Sequence, residues 1–436
     1  MEIPGFYYDK HRKKYFKIQS GISGQNLTKE VVKAKTALNT IDDYKRMDAT
    51  IHLPQTLHKQ EINCQTKYSL RDELIRSQFK SIDIQKKLNL EVIDFCGNPM
   101  KNIGVNSLIG YPESDLLFCV FTGDSGSIIY RLSVKDLFSD DFDLNESKQV
   151  INAYPIHNRV VDICYTNEPN LKALSTLVHH FPEPNTINTS FSLNVFTEFR
   201  HPLDPMRQVY EFSEPIFSAT HFQDLNILGS EKHIYIFTPS SSGRMRKINL
   251  NERVTALRTN SDGRMFIAGT NKGQLASFDI RESYCAERKS SLQLNDKTVV
   301  YLQFLSDSNR VIASCHNNYL CLTDLRMFDK PVVQYSSHSN SCSKIGFSVD
   351  ESVDVLCSSG DDNLVRFWSI TSGKLLHMYC PQQEKELANP LTTSESISNV
   401  CYSHSWNCLN NQWKPLLFSM SANQLNVITN ENSITL

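Results

Sequence analysis

The stretch SCSKIGFSVDESVDVLCSSGDDNLVRFWSITSGKLL, Ser341 to Leu376, decides how the rest of the chain is read. Its β-branched and aromatic residues fall in short runs separated by polar turn formers, the pattern of successive strands rather than of a helix. Lys344–Phe347, Val353–Ser358, Leu364–Ser369 and Lys374–His377 are the expected strands. Between the second and third lies Gly360-Asp361-Asp362-Asn363, residues that accept turn backbone or bond to it. Thr371-Ser372-Gly373 leads into the fourth strand.

With His338 ahead of the first strand, Ser358 in the second, Asp362 in the turn and Trp368 in the third, this unit resembles a WD-repeat propeller blade. In WD repeats that quartet forms a buried hydrogen-bonded chain, so the resemblance gives these four a structural role. A buried polar chain of this kind stabilises only when every member is satisfied. The same strand–turn–strand pattern returns in Leu225–Phe237, Met265–Ile280 and Val311–Leu325, and more weakly in Leu116–Leu132. Two further units are expected over Arg159–Phe199, interrupted by the loop His180–Thr189, and over Ser396–Thr429. A unit repeating every ~40–45 residues cannot bury both its faces alone and must stack on its neighbours. The expected fold is all-β, a WD-repeat β-propeller over residues 86–436, with seven blades the count the spacing supports and six or eight close to it. A strand near Leu88–Phe95, or one in the N-terminal segment, is needed to complete the last blade, because an unpaired edge invites aggregation.

Composition narrows the function classes. Hydrophobic residues make up 40% and charged residues 21%, with a net charge of −2, so nothing in the bulk charge pulls the chain toward nucleic acid. No run of about 18 apolar residues occurs, and the opening MEIPGFYYDK has no signal-like core, so an intracellular location, nucleus or cytoplasm or both, with no membrane contact, is expected. The 12 cysteines show neither CxxC nor His at zinc spacing and read as buried thiols in a reducing compartment. The sequons at Asn26, Asn145 and Asn188 then carry no weight.

Residues 1–85 differ from the rest: they are Lys-rich and read as an arm. Two helices are expected there, Leu27–Leu38 and Ser69–Phe79, the second capped by Ser69 with Asp72 and carrying Leu70, Leu74 and Phe79 near one face, enough for docking and too little for a core. In Ile3–Ile18, Phe6, Tyr7, Tyr8, Tyr15 and Phe16 bracket Lys10, Arg12, Lys13 and Lys14. A β-hairpin turning at Asp9–Lys13, a nuclear-localisation signal and a base-stacking surface all fit that composition.

That opening, PGFYYDKHRKKYFKI followed by Leu27-Thr28-Lys29-Glu30, resembles the N-terminal signature of the WD-repeat cullin-4-associated factors, in particular the fourth-numbered group among them. The resemblance implies a substrate receptor of a cullin-4 RING ubiquitin ligase, held by the adaptor called damaged-DNA-binding protein one, with an unidentified target as third partner. It also implies a docking motif, written W-D-x-R, at the end of the third strand of one or two neighbouring blades. Here it reads Phe278-Asp279-Ile280-Arg281 and, 45 residues on, Thr323-Asp324-Leu325-Arg326. Phe keeps an aromatic plug at the first position and Thr does not. The aspartate is explained by capping a strand end. The arginine has no evident duty within a blade, for Trp368-Ser369-Ile370-Thr371 lacks both Asp and Arg. Arg281 and Arg326 are expected as neighbours on one rim, either docking a partner or as solvated ion pairs worth little.

Enzyme readings find no support: GxSxG, HExxH, P-loop and Rossmann patterns are all missing, and Gly numbers 16. His179-His180 has no accompanying ligand or nucleophile motif, and the acidic run Asp136–Glu146 lacks the spacing of a calcium loop. No enzyme activity, metal, cofactor or small-molecule substrate is expected. Beside the ubiquitin-ligase reading stands a WD-repeat scaffold of another nuclear assembly, in chromatin or RNA processing, and, third, a nucleic-acid binder acting through Tyr7–Lys17.

Overall fold

In the computed structural model the described residues are 6–9, 14–17, 72, 75, 76, 79, 82–90, 96, 98–101, 104–112, 115–137, 151–156, 159–168, 171–179, 189–197, 206–212, 214–222, 225–238, 245–280, 290–294, 297–327, 329–341, 345–380, 397–407, 413–421 and 424–430. Near the start β1 (Phe6–Asp9) pairs antiparallel with β2 (Lys14–Lys17), the hairpin among the alternatives for that segment. The other strands form seven four-stranded antiparallel sheets among the described residues. Blade one holds β4 (Gly104–Tyr111), β5 (Leu116–Gly123), β6 (Gly126–Ser133) and β7 (Ile151–Ile156). Blade two holds β8 (Arg159–Glu168), β9 (Leu171–His179), β10 (Thr189–Thr197) and β11 (Met206–Phe212). Blade three follows with β12 (Ile216–Phe222), β13 (Leu225–Ser230), β14 (His233–Phe237) and β15 (Arg246–Asn249). Blade four has β16 (Val254–Thr259), β17 (Met265–Thr270), β18 (Gln274–Asp279) and β19 (Ser290–Gln293). Blade five has β20 (Val299–Phe304), β21 (Arg310–Cys315), β22 (Tyr319–Asp324) and β23 (Val333–Gln334). Blade six, the stretch quoted first, has β24 (Phe347–Asp350), β25 (Val355–Ser359), β26 (Val365–Ser369) and β27 (Leu375–Tyr379).

Blade seven is composite. Its inner strands β28 (Ile397–Asn407), β29 (Trp413–Ser421) and β30 (Gln424–Asn430) come from the end of the chain, and its outer strand is β3 (Ile82–Asn89), paired antiparallel with β30 from Ile82↔Asn430 to Asn89↔Gln424. The closing strand therefore precedes most of Leu88–Phe95 and begins at Ile82, on the arm side of residue 86. Leu88 is fully buried in the cluster that joins blade seven to blade one, with Trp406, Phe418, Leu117 and Phe121. β28 lies against β4, which closes the ring.

Repetition extends to atomic detail. In six blades the pairing of first and second strand slips by one residue just after it starts, as at Ile216/Ser218, Val254/Ala256 and Val299/Tyr301, a bulge that adds twist. The slipped strands are sewn to the next blade by hydroxyls: Ser218 Oγ donates to Val254 O at 3.1 Å, and Thr255 Oγ1 to Val299 O at 2.5 Å. At the same seams the second strand carries glycine. A Cβ on Gly229 would lie 2.6 Å from Val254, and one on Gly269 would lie 2.5 Å from Val299. Both valines are fully buried, so neither can move aside cheaply. Gly269→Ala is expected to destabilise the protein by about 1–3 kcal/mol through overpacking, read from the shift in urea midpoint; an unchanged midpoint would show that the seam is loose.

The blade-six quartet is buried or half-buried, but it does not form the expected hydrogen-bonded chain. Trp368 Nε1 donates to Ser336 O at 2.9 Å, and Ser358 Oγ to Gly346 O and Ser359 O. Asp362 is taken by Arg366, which donates from Nη1 at 2.9 Å and from Nη2 to the other carboxylate oxygen. His338 packs edge-on to Trp368, with both ring nitrogens buried and without a hydrogen-bond partner. The reason is competition: a guanidinium offers the carboxylate two parallel charge-assisted bonds where an imidazole offers one. Burial, and then the Arg366 charge, push the His338 pKa down to about 4. Blades three and four use a glutamate ahead of the first strand instead of histidine: Ser230 Oγ donates to Glu214 and Thr270 Oγ1 to Glu252, both at 2.7 Å.

From the arm, Asp72, Ile75, Arg76 and Phe79 are helical and buried, at the i, i+3, i+4 and i+7 spacing of one face. Phe79 stacks on Phe367 at 4.1 Å between ring centroids and meets Tyr402 edge-on at 5.6 Å, so it fills the groove between blades six and seven. Arg76 Nε donates to Leu376 O at 3.0 Å. Leu70, Leu74, the helix expected at Leu27–Leu38 and most of the acidic run Asp136–Glu146 lie outside the described residues. Cys119, Cys315, Cys321, Cys357 and Cys401 are buried free thiols, and burial pushes Cys315 and Cys401 up to about 12. No helix among the described residues is long and apolar enough to cross a membrane.

Candidate functional site: the Asp-x-Arg rim

Antiparallel order puts the turn between first and second strands, and the loop between third and fourth, on the same rim. One backbone bond marks the equivalent positions. Ile280 N donates to Arg264 O at 2.9 Å, Leu325 N to Asn309 O at 2.8 Å and Ile370 N to Asp354 O at 3.1 Å. Residues 280, 325 and 370 are thus the same position in blades four, five and six, and residues 281, 326 and 371 follow in step.

Residues ahead of this position serve the core. Phe278 is fully buried and stacks on Phe266 at 4.8 Å. Thr323, also fully buried, takes the same place without a ring and donates Oγ1 to Val311 O at 3.2 Å. Asp279 and Asp324 end β18 and β22 and are both buried.

Asp324 caps its strand end by accepting from Arg326 N at 2.9 Å. Blade six reaches the same result differently. Its Asp354, from the first turn, accepts from Thr371 N at 3.0 Å and from Ser369 Oγ at 2.6 Å. Blades five and six thus both place a carboxylate here, from different turns, and blade six does so without an arginine.

Arg326 does more than the cap requires. It lies in a 3₁₀ turn, Leu325–Met327, and grips Asp324 with Nε at 2.9 Å and Nη2 at 2.6 Å, yet its side chain is 66% exposed. The fork holds the Asp324 carboxyl down at about 2, so the pair is charged throughout the neutral range. Two of the five guanidinium N–H donors are spent on Asp324, and three remain for a partner. The restraint lowers the entropy that a partner would otherwise have to remove from a flexible side chain. Next to it, Arg310 Nε meets Asp307 at 2.5 Å in the first turn of the same blade. Arg281 lies outside the described residues, so of the four expected docking residues Asp279, Asp324 and Arg326 are placed. His338, Ser358, Asp362 and Trp368 are at or near blade six's interior, remote in role from this rim.

Three residues of the region escaped the sequence reading: Met245, Met327 and Val332, the exposed large hydrophobic residues among those described. The available signal was apolar residues in loop sequence, as in Arg326-Met327-Phe328-Asp329-Lys330-Pro331-Val332, where no strand period accounts for them.

No family model matches the chain. Over 86% of its length it is 24% identical to DDB1- and CUL4-associated factor 4 of Homo sapiens, covering 78% of that protein. Over 92% it is 22% identical to the protein of the same name from Bos taurus, covering 82% of it. Among solved structures it is similar to Raptor of Chaetomium thermophilum, with TM-score 0.54, 13% identity and 83% of this chain covered. It spans 30% of that chain, and the likeness is one of fold. The chain is thus a WD-repeat β-propeller similar, over most of its length, to proteins named DDB1- and CUL4-associated factor 4.

Proposed function

We propose that this chain is a non-catalytic substrate receptor of a cullin-4 RING ubiquitin ligase. Arg281 and Arg326, oriented by Asp279 and Asp324, dock it on a DDB1-type adaptor. The observation that carries the reading is Arg326: exposed, immobilised by a bidentate carboxylate, and dispensable to the blade, since blade six builds the same strand end without it. The names of the relatives agree with it. The chemistry would be proximity. A target held on the propeller experiences a high effective concentration of the ubiquitin-charged enzyme that the ligase recruits, and no bond is made or broken by this chain. It would act inside the cell, in the nucleus, the cytoplasm or both. The arm helix has its described face committed to the blade six–seven groove, so any adaptor contact from the arm would come from other residues.

The test is binding of purified adaptor to the full chain and to Arg281→Ala/Arg326→Ala. Loss of two arginines at the centre of an interface is expected to weaken binding by about tenfold or more. No binding by the unaltered chain, or equal binding by the double variant, would sink the reading.

A further inference from the structure

Resting on the adaptor reading, we infer that the docking face is an arc over blades three, four and five, in which exposed apolar side chains rather than the arginines alone set the affinity. Met327 is 66% exposed, Val332 58% and Met245 44%. Single exposed apolar residues are ordinary, but these share one rim.

Register places them. Met327 follows Arg326 in the 3₁₀ turn at the end of β22. Val332 returns on the other side of that loop, its N donating to Leu322 O at 2.8 Å. Met245 precedes Arg246, which pairs with Ile236 near the end of β14, so it too stands at the third-to-fourth-strand loop. Arg246 Nη1 reaches Ile280 O at 3.5 Å, which lays blade three's fourth strand beside blade four's motif loop. Ser261 Oγ and Ser308 Oγ, 3.0 Å apart, join the first turns of blades four and five on the same rim, so the arc runs from Met245 past Ile280 toward Leu325 and Met327. The opposite rim shows no exposed large hydrophobic residue among those described.

Charge selects the occupant. Arg246 and Arg326 stand exposed within the arc, while Asp324, the carboxylate beside Arg326, is buried beneath its arginine. Of the other acids among the described residues, Asp262 and Asp307 are matched by Arg264 and Arg310, and Asp329, exposed in the loop between Met327 and Val332, is followed by the exposed Lys330. The complementary surface is a protein face bearing apolar side chains ringed by carboxylates, and the adaptor is the occupant to which the inference commits. Methionine suits such a contact because its flexible thioether fits irregular apolar surfaces. An arginine whose charge is already matched steers and orients, whereas buried apolar area supplies the free energy.

The experiment measures equilibrium binding of the purified adaptor to the full chain and to Met327→Glu, Val332→Glu, Met245→Glu and Arg326→Ala. Lys232→Glu, on the exposed second-to-third-strand turn of the opposite rim, is the control. All altered side chains are exposed, and unchanged thermal midpoints check the fold. Met327→Glu and Met245→Glu are each expected to weaken binding about tenfold or more, and Lys232→Glu less than about twofold. If Arg326→Ala weakens binding while the Met and Val variants do not, the adaptor reading stands and the three-blade arc is wrong. If the unaltered chain binds no adaptor, both fall. If Met327→Glu instead abolishes a concentration-dependent dimer seen by light scattering, the arc is a contact between copies and the inference is overturned.

Discussion

Removing residues 1–90 is expected to turn the protein from a folded, soluble unit into material recovered chiefly as aggregate. The deletion takes away β3, leaving β30 with seven residues of unpaired edge. An open edge of that length, reading QLNVITN and rich in β-formers, is a template for another chain. It also removes Leu88 and Leu90 from the blade seven–one core and Ile75 and Phe79 from the groove beside it. The single substitution Leu88→Ala separates the two effects. It keeps the strand and its ladder but empties a fully buried site, at an expected cost of about 2–5 kcal/mol read from urea unfolding. Supplying residues 82–90 as a separate peptide should return soluble, folded protein from the truncated chain. A truncated chain that stays soluble and cooperative without the peptide would show that the ring does not depend on β3.

Second in expected size is Asp362→Ala, at about 3–5 kcal/mol, because it strands the Arg366 guanidinium inside blade six with its counter-charge gone. The Arg366 side chain is only 4% exposed, against 23% for Asp362, so the reverse change is milder: Arg366→Met leaves a carboxylate that reaches water. A His–Asp blade chain predicts otherwise, with His338 and Asp362 substitutions costing alike. Here His338→Leu should cost little near neutral pH and should change the acid limb. Below its unfolded pKa of 6.5 the unfolded chain takes up a proton at residue 338 that the folded blade refuses until about pH 4. Above pH 6.5 His338 is neutral in both states and carries no penalty, and as pH falls from 6.5 to 4 proton uptake by the unfolded chain costs the folded state about 3 kcal/mol. Urea midpoints of His338→Leu and the unaltered chain, measured from pH 7 to 4, should diverge on acidification. Parallel curves would mean that His338 is not held neutral.

Much of this architecture was legible because it is local. Strand, tight turn and strand are encoded within about 15 residues, and the 45-residue steps from Ile280 to Leu325 to Ile370 return the same backbone bond. The boundaries of blade six show the limit. β24 starts at Phe347 and ends at Asp350, later than Lys344–Phe347, because its register is set by pairing with β25 and by contact with Tyr402 of the next blade. The aspartates of the motif were likewise predictable as strand caps, and blade six's own solution, Asp354 reaching across from the other turn, was not.

What the sequence by itself determined was the repeat and its all-β character. Periodicity and turn chemistry act over a few residues and leave their mark in order along the chain. The tertiary structure alone decided that Ile82–Asn89 closes the ring onto a strand more than three hundred residues away, and that Phe79 fills the groove between blades six and seven. It decided that Arg366 takes Asp362 from His338, and that Met245, Met327 and Val332 emerge on the rim that carries Arg326. Each of these depends on which surfaces meet when seven similar sheets pack around one axis, and a pattern that reports only near neighbours does not carry that information.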